Sequence, residues 1–178
     1  MASKELSDLE LDFRNIVQKF LLPKCEQLGV KMRPFYTIRN PWEQAKLWRQ
    51  SRTSGQIKTA IADLKEKGAP FLAHVLDLVG PQYGRWATNA LPGISWHQHG
   101  LAIDCFVLED GKAIWNSKHK GYQTYARAAV EVGLVAGYYW QTRDAVHVQK
   151  FIGRVLDRYK WPEVDKLMIQ LYGNEEKK

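Results

Sequence analysis

The segment Ser95-Trp-His-Gln-His-Gly-Leu-Ala-Ile-Asp104 carries three polar metal-binding or proton-transferring side chains where a loop passes into an apolar run. Residues 101–108 are predicted to be a β-strand, because branched and apolar residues dominate them. Asp104 then lies within the strand and His97 in the loop before it. Gly100 permits a sharp turn that brings the two side chains together, which a single strand could not do.

A second polar segment, Asp144-Ala-Val-His147, follows about forty residues later and leads into another predicted strand. His147 points to one face of that strand, whereas Asp144 precedes it and reaches the same place from a turn. His97, His147 and Asp104 can supply two imidazoles and one carboxylate, which is what a zinc site needs if its fourth position is to stay open for water. The pattern therefore predicts a hydrolase.

Strands in hairpins beside separate helices predict an α+β fold, with a small antiparallel sheet, flanking helices and a single domain. Pro23 is expected to kink or split the first helix. Helices are predicted over 4–28, 41–50, 54–67, 69–79 and 122–132 and through most of the last thirty residues, and strands over 30–39, 101–108, 112–115, 133–140 and 145–149.

The length of 178 residues and the 45% of hydrophobic residues fit one domain with a core of its own. We expect residues 1–178 to form one catalytic domain, with an N-terminal helix over 1–30, a catalytic core over 31–150 and a C-terminal helical segment over 151–178. Cys25 and Cys105 lack the spacing of a redox or zinc motif and are predicted to be core residues.

The net charge of +7 predicts attraction to something anionic, such as nucleic acid, acidic lipid or the bacterial envelope. The basic residues are spread along the chain, so no tract is typical of a nucleic-acid-binding arm. Acidic residues interrupt the N-terminal stretch, and no run of about 18 apolar residues occurs. We therefore expect no signal peptide, no transmembrane segment and synthesis in the cytoplasm.

These motifs resemble a family of zinc peptidases that includes D-alanyl-D-alanine carboxypeptidases and L-alanyl-D-glutamate endopeptidases. The resemblance covers about residues 31–150 and implies the fold shared by Hedgehog proteins and D-Ala-D-Ala peptidases. It rests on Ser95-x-His97-x-x-Gly100-x-Ala102-x-Asp104, on Asp144-x-x-His147, and on Arg39 followed by Glu43-Gln44.

The resemblance also implies a role for each motif residue. His97, Asp104 and His147 bind a single Zn²⁺ ion, and Asp144 is the catalytic base. Arg39 contacts the substrate or the negative oxygen that develops during the reaction. The implied substrate is the stem peptide of bacterial peptidoglycan.

An aspartate at the base position, and Gln149 two residues after the last ligand, resemble the endopeptidases of bacteriophage endolysins. We therefore expect cleavage between L-Ala and D-Glu by a monomeric protein made in the host cytoplasm and acting at the cell wall. The alternatives are a D,D-carboxypeptidase of the same family and a wall-binding module without catalysis. A nucleic-acid-binding domain would leave the His/Asp constellation unexplained.

Several residues near the motifs have two interpretations. Arg39 is either the electrophilic helper or an ordinary cation in a salt bridge. Ser95 either orients the ligating carboxylate or only bonds the loop, and His99 either lines the substrate cleft or competes for the metal. Trp96 and Trp140 either stack on substrate or pack in the core.

Overall fold

The computed structural model describes residues 3–174, which group into two compact units. The first, the helical unit, comprises Arg39–Gln98 and the described part of Gly153–Lys178. The second, the sheet unit, comprises the described part of Ala2–Ile38 together with His99–Ile152. The predicted α+β class with a small antiparallel sheet is confirmed. The expected division of 1–178 into segments of one catalytic domain stays a prediction.

The sheet unit is built on five antiparallel strands in the order β1-β2-β5-β4, with β3 also paired to β2. The predicted hairpin between β2 and β3 is confirmed, and its turn places Asp110 at φ 49° and Gly111 at φ 75°. Positive φ at both central residues matches a type I′ turn, which suits the twist of the flanking strands. The strands are β1 (Met32–Tyr36), β2 (Ala102–Glu109), β3 (Lys112–Ile114), β4 (Val135–Ala136) and β5 (His147–Gln149).

One face of this sheet packs against helices. Ile103 and Cys105 of β2 are fully buried there, and burial raises the pKa of the Cys105 thiol to about 12. Cys25 is buried likewise with its pKa raised to about 12, so both cysteines are inert core residues, as predicted. The helices of this unit are α1 (Leu11–Ile16), the π-helical stretch Val17–Leu21, α2 (Leu22–Gln27) and α6 (Lys120–Glu131).

The first α-helix begins at Leu11, after a separate 3₁₀ helix over Leu6–Asp8, so the predicted continuous helix from near Lys4 is wrong. The Glu10 carboxylate accepts hydrogen bonds from the backbone N–H groups of Asp12 and Phe13 and thereby caps the helix. Pro23 does not split the helix, because the wider π-helical turns of Val17–Leu21 lie directly before it and α2 continues the rod.

In the helical unit, charged side chains form hydrogen bonds with both ends of helix α5 (Pro70–Leu78). The Asp165 carboxylate accepts hydrogen bonds from Phe71 and Leu72 in the first turn of α5, and the buried Arg49 guanidinium donates to carbonyl groups in its last turn. A negative charge at the start of a helix and a positive charge at its end both interact favourably with the helix dipole. The helices are α3 (Pro41–Arg49), α4 (Ser54–Glu66), α5 (Pro70–Leu78) and α7 (Trp161–Tyr172).

No helix within residues 3–174 is long and apolar enough to cross a membrane.

A backbone hydrogen bond at Gly100 attaches the N-terminal segment of the sheet unit to the start of β2. The Glu10 N–H donates to the Gly100 carbonyl over 3.0 Å, and the Glu10 carboxylate pairs with Lys150 at 2.9 Å. The backbone of Gly100 adopts φ +66°, and a Cβ there would lie 2.9 Å from the backbone nitrogen of Glu10. The predicted sharp turn at Gly100 is therefore confirmed, and glycine is required both by conformation and by space.

We expect Gly100→Ala to lower the free energy of unfolding by about 3 kcal/mol, because positive φ and a backbone clash add together. Gly111→Ala is the matched control: its φ is +75°, but no atom lies within 4 Å of the added Cβ. The control should lose only about 1 kcal/mol. Chemical denaturation measures both values, and equal losses would contradict the close approach of Glu10 to Gly100.

Candidate metal centre

The register between β2 and β5 sets Asp104 directly opposite His147. Residues opposite each other on antiparallel strands project to the same face, so the two side chains meet. The distance between His147 Nδ1 and Asp104 Oδ1 is 3.0 Å, and each residue is 8% exposed. This face of the sheet is opposite to the one that Ile103 and Cys105 turn toward the helices, because side chains alternate along a strand.

Gln149 lies two residues after His147 and shares its face of β5. Its Oε1 atom lies 3.0 Å from His147 Nε2, and its amide nitrogen donates to the Phe151 carbonyl. Sequence reasoning used Gln149 only as a mark of family resemblance and missed this contact. The signal was present, since residues two apart on a strand stand side by side.

Both ring nitrogens of His147 therefore face oxygen acceptors. Burial of the imidazole lowers its pKa, but the hydrogen bond and negative charge of Asp104, with the charge of Asp144 and the Gln149 contact, outweigh burial and raise the pKa of His147. The same acceptors therefore compete with a metal ion for this ring, because only a nitrogen that carries no proton can be a ligand.

His97 completes a set of three potential ligands. It is buried in the short 3₁₀ helix Trp96–His99, and one ligand atom from each of His97, Asp104 and His147 lies within 4.8 Å of the others. Ligand atoms of a tetrahedral zinc site stand about 3.3 Å apart, from metal–ligand distances near 2 Å. Two imidazoles and a carboxylate, buried and within 4.8 Å of one another, are a donor set of the kind that zinc takes. His99 is not a member of this set.

The backbone near Asp144 is arranged by Gly137. The predicted strand over 133–140 is wrong beyond Ala136, because Gly137–Tyr139 forms a 3₁₀ helix. The Gly137 carbonyl accepts hydrogen bonds from the N–H groups of both Trp140 and Asp144, which closes the loop. A Cβ at Gly137 would lie 2.7 Å from the Asp144 carbonyl oxygen, so a larger residue would push that segment away.

Asp144 itself is exposed, and its Cβ and the Cβ of His147 both lie within 3.2 Å of the position that a Cβ on Gly137 would take, so the two residues are neighbours. Asp144 lies in the segment ahead of β5, and its reach from there to the metal stays a prediction. Its role as a base stays a prediction.

The two tryptophans near the motifs differ in their surroundings. Trp96 is buried and donates its indole N–H to the Gly153 carbonyl over 3.0 Å, so it is a core residue of the helical unit. Trp140 is 40% exposed, and its ring centroid lies 5.1 Å from that of His147. Only Trp140 therefore presents an aromatic surface beside a potential metal ligand.

Arg39 and Ser95 both lie in the helical unit. Arg39 donates to the Gln44 side chain over 3.1 Å, and the buried Gln44 donates in turn to the Ala90 carbonyl over 2.7 Å. The backbone N–H of Ser95 donates to the side chain of Gln98, a buried residue that sequence reasoning passed over. The predicted roles of Arg39, Ser95 and His99 toward substrate stay predictions.

Residues 88–150 match the model of a family described as D-alanyl-D-alanine carboxypeptidase. The resemblance to this peptidase family is therefore confirmed. The matched segment contains His97, Asp104, Asp144 and His147, whereas Arg39 lies outside it. A solved structure described as the Serratia marcescens L-Ala D-Glu endopeptidase ChiX is similar to this chain with a TM-score of 0.44 and 16% identity, over 84% of this chain and 87% of that chain. No curated protein matches the chain.

We expect Gln149→Leu to lower zinc affinity by about 10- to 100-fold, because a histidine ligand is oriented by the acceptor that its other nitrogen meets. Gln149→Glu is the control, since it keeps an acceptor oxygen at this position, and it should bind zinc more tightly than the leucine variant. Competition with a chromogenic chelator measures the affinities. Unchanged zinc affinity in Gln149→Leu would show that the amide does not orient His147.

Proposed function

We propose that this chain is a zinc-dependent peptidase that hydrolyses a peptide bond in the stem peptide of bacterial peptidoglycan. The observation that carries the proposal is the buried group of His97, Asp104 and His147. Support comes from the match of the surrounding segment to a peptidase family. An exposed carboxylate beside the group, that of Asp144, adds the proton acceptor that hydrolysis requires.

In this proposal His97, Asp104 and His147 hold one Zn²⁺ ion. When bound, zinc lowers the pKa of water to about 7 and polarises the carbonyl that is to be attacked. Asp104 and His147 supply their ligand atoms from neighbouring strands, so the sheet fixes their separation. With the metal bound, Gln149 would accept the N–H of one imidazole nitrogen of His147, which would leave the other nitrogen free to be the ligand.

Asp144 is the proposed general base. A carboxylate next to the attacking water accepts its proton and then delivers it to the leaving amine, so that one group serves both halves of the reaction. The exposure of Asp144 suits this exchange because substrate and water can reach it. The bond from Asp144 N–H to the Gly137 carbonyl, 2.9 Å long, holds the backbone of the base in place.

Arg39 is the proposed electrophilic partner of the substrate. Its guanidinium is charged at any working pH, so it stabilises the negative oxygen that forms as the scissile carbonyl becomes tetrahedral. Gln44 accepts one of its hydrogen bonds, which restrains the side chain. Ser95 and His99 are proposed to contact the substrate as well.

We further propose cleavage between L-Ala and D-Glu, as in phage-type endolysins that act at the cell wall. Aspartate as the base and the glutamine after the last ligand favour this bond, and the net charge of +7 favours capture of the anionic envelope. D,D-carboxypeptidase activity is the second candidate, because the matching family model carries that description. A wall-binding module without catalysis is the third.

The division of roles predicts opposite behaviour of two variants. Asp144→Asn should keep one zinc per chain and lose most turnover, about 100-fold or more, because a general base is removed and no ligand is. His97→Ala should lose the metal itself. Zinc is counted by atomic absorption after dialysis, and turnover by release of soluble wall fragments. Equal zinc loss in the two variants would contradict the assignment of Asp144 as base.

Mass spectrometry of the fragments released from purified peptidoglycan tests the proposed bond. New L-Ala carboxyl termini and D-Glu amino termini are expected, with no release after complete chelation and recovery when zinc is restored. Loss of the terminal D-Ala alone would replace the endopeptidase with the carboxypeptidase. Binding to the wall with no cleaved product, or cleavage that survives full removal of metal, would refute the proposal.

A further inference from the structure

The helical unit contains a cleft of about 430 Å³ that the proposed metal chemistry does not use. Helices α3 and α4 and the start of α7 form its walls. Of its lining residues only Leu91 falls within the segment that matches the peptidase family. The lining is Trp48, Arg52, Gln56, Thr59, Ala60, Asp63, Leu64, Lys67, Leu91 and Trp161.

One part of the cleft is aromatic and rigid. Trp48 is almost buried, and the Arg52 guanidinium lies 4.6 Å from the centre of its ring. Arg52 also donates to the Thr88 carbonyl over 2.8 Å and the Gln50 carbonyl over 3.2 Å, so cation and ring are held in place. Trp161, at the first position of α7, supplies a second indole.

The other part of the cleft is a row of polar side chains along α4 and on Lys67, the capping residue at its C-terminal end. Gln56, Thr59, Asp63 and Lys67 follow one another at intervals of three or four residues, so they share one face of the helix. The row is about 16 Å long at 1.5 Å per residue. All four residues are exposed, and among the ion pairs of residues 3–174 none joins Asp63 to Lys67. Donors, acceptors and both signs of charge are thus presented together.

The combination of indole rings with a row of mixed polar and charged side chains favours one class of ligand. A phosphate group would meet the negative charge of Asp63, and a purely apolar ligand would cover the polar row without bonding it. A sugar ring has an apolar C–H face for an indole and an edge of hydroxyl and amide groups for mixed donors and acceptors. A row about 16 Å long accommodates more than one such ring.

We propose that this cleft binds N-acetylated sugar rings of a glycan strand. Trp161 contacts a ring face beside the wall formed by Trp48 and Arg52, and Asp63, Lys67 and their neighbours on α4 bond the hydroxyl and amide groups. The identification of the glycan with that of the bacterial wall rests on the proposed function. The sugar site then tethers the enzyme to the polymer whose stem peptides it cleaves.

Direct binding tests the site without reference to catalysis. The probe is the linear tetramer of N-acetylglucosamine, titrated by calorimetry into metal-free protein. Trp161→Ala is expected to weaken binding about tenfold, which corresponds to 1.4 kcal/mol. Trp86→Ala is the matched control, because Trp86 is a half-exposed tryptophan of the same unit that does not line the cleft. It should bind as the parent does.

Asp63→Asn is a second variant, which should fold as the parent does. Asp63 is exposed on α4, and asparagine has nearly the same side-chain shape as aspartate. This substitution should also weaken binding of the sugar tetramer. Absence of tetramer binding by the parent protein, or unchanged binding in both Trp161→Ala and Asp63→Asn, would overturn the proposal. The proposal would also be overturned if the parent protein formed a concentration-dependent dimer and Trp161→Ala dissociated it. The cleft would then hold a second copy of the chain.

A kinetic comparison separates the sugar site from the peptidase. With intact peptidoglycan, Trp161→Ala should raise KM with kcat unchanged, whereas a short stem peptide without sugars should be cleaved as by the parent. Equal effects on both substrates would contradict a glycan site. If neither substrate is cleaved by any variant but the tetramer still binds, the proposed function fails and the sugar site stands.

Discussion

The antiparallel pairing of β2 with β5 sets Asp104 directly opposite His147, and the rest of the candidate site depends on this register. A slip of one residue would turn one of the two side chains to the opposite face, where helices cover the sheet. The neighbouring pairs Ala102–Gln149 and Ile103–Val148 fix the same register. Burial of Ile103 and Val148 on the helix-covered face therefore holds the polar pair on the other face.

Glycine backbones complete the arrangement at two points where a side chain would not fit. At Gly100 the N-terminal segment contacts the chain so closely that a Cβ would lie 2.9 Å from a backbone nitrogen. At Gly137 the carbonyl closes the loop that carries Trp140 and Asp144. Strand register thus places two potential metal ligands, Asp104 and His147, whereas close backbone packing places the turns beside them. The exposed Asp144 lies next to buried and fixed groups, which suits the proton exchange with water that is proposed for it.

Local chemistry made β2 and its hairpin predictable, and the grouping of His97, Asp104 and His147 was expected from their donor types and from the family resemblance of two motifs about forty residues apart. The apolar run after Gly100 and the turn at Asp110-Gly111 are signals within a few residues of the chain. The start of the first helix was mispredicted because the segment before Leu11 bonds to Gly100, a partner some ninety residues away. The 3₁₀ helix after Ala136 was missed for a similar reason, since Gly137 bonds to Asp144. The contact between Gln149 and His147 follows from the alternation of side chains along a strand. Which ring nitrogen of His147 faces Gln149 depends on the contact of the other nitrogen with Asp104.

The most direct test of the central claim is the position of zinc in crystals of the metal-loaded protein, located by anomalous scattering at the zinc edge. The account predicts one zinc ion per chain, bonded to a nitrogen of His97, a nitrogen of His147 and a carboxylate oxygen of Asp104. Solvent should occupy the remaining position, with Gln149 still bonded to the other nitrogen of His147. A zinc ion held elsewhere, or one with a fourth protein ligand in place of solvent, would contradict it.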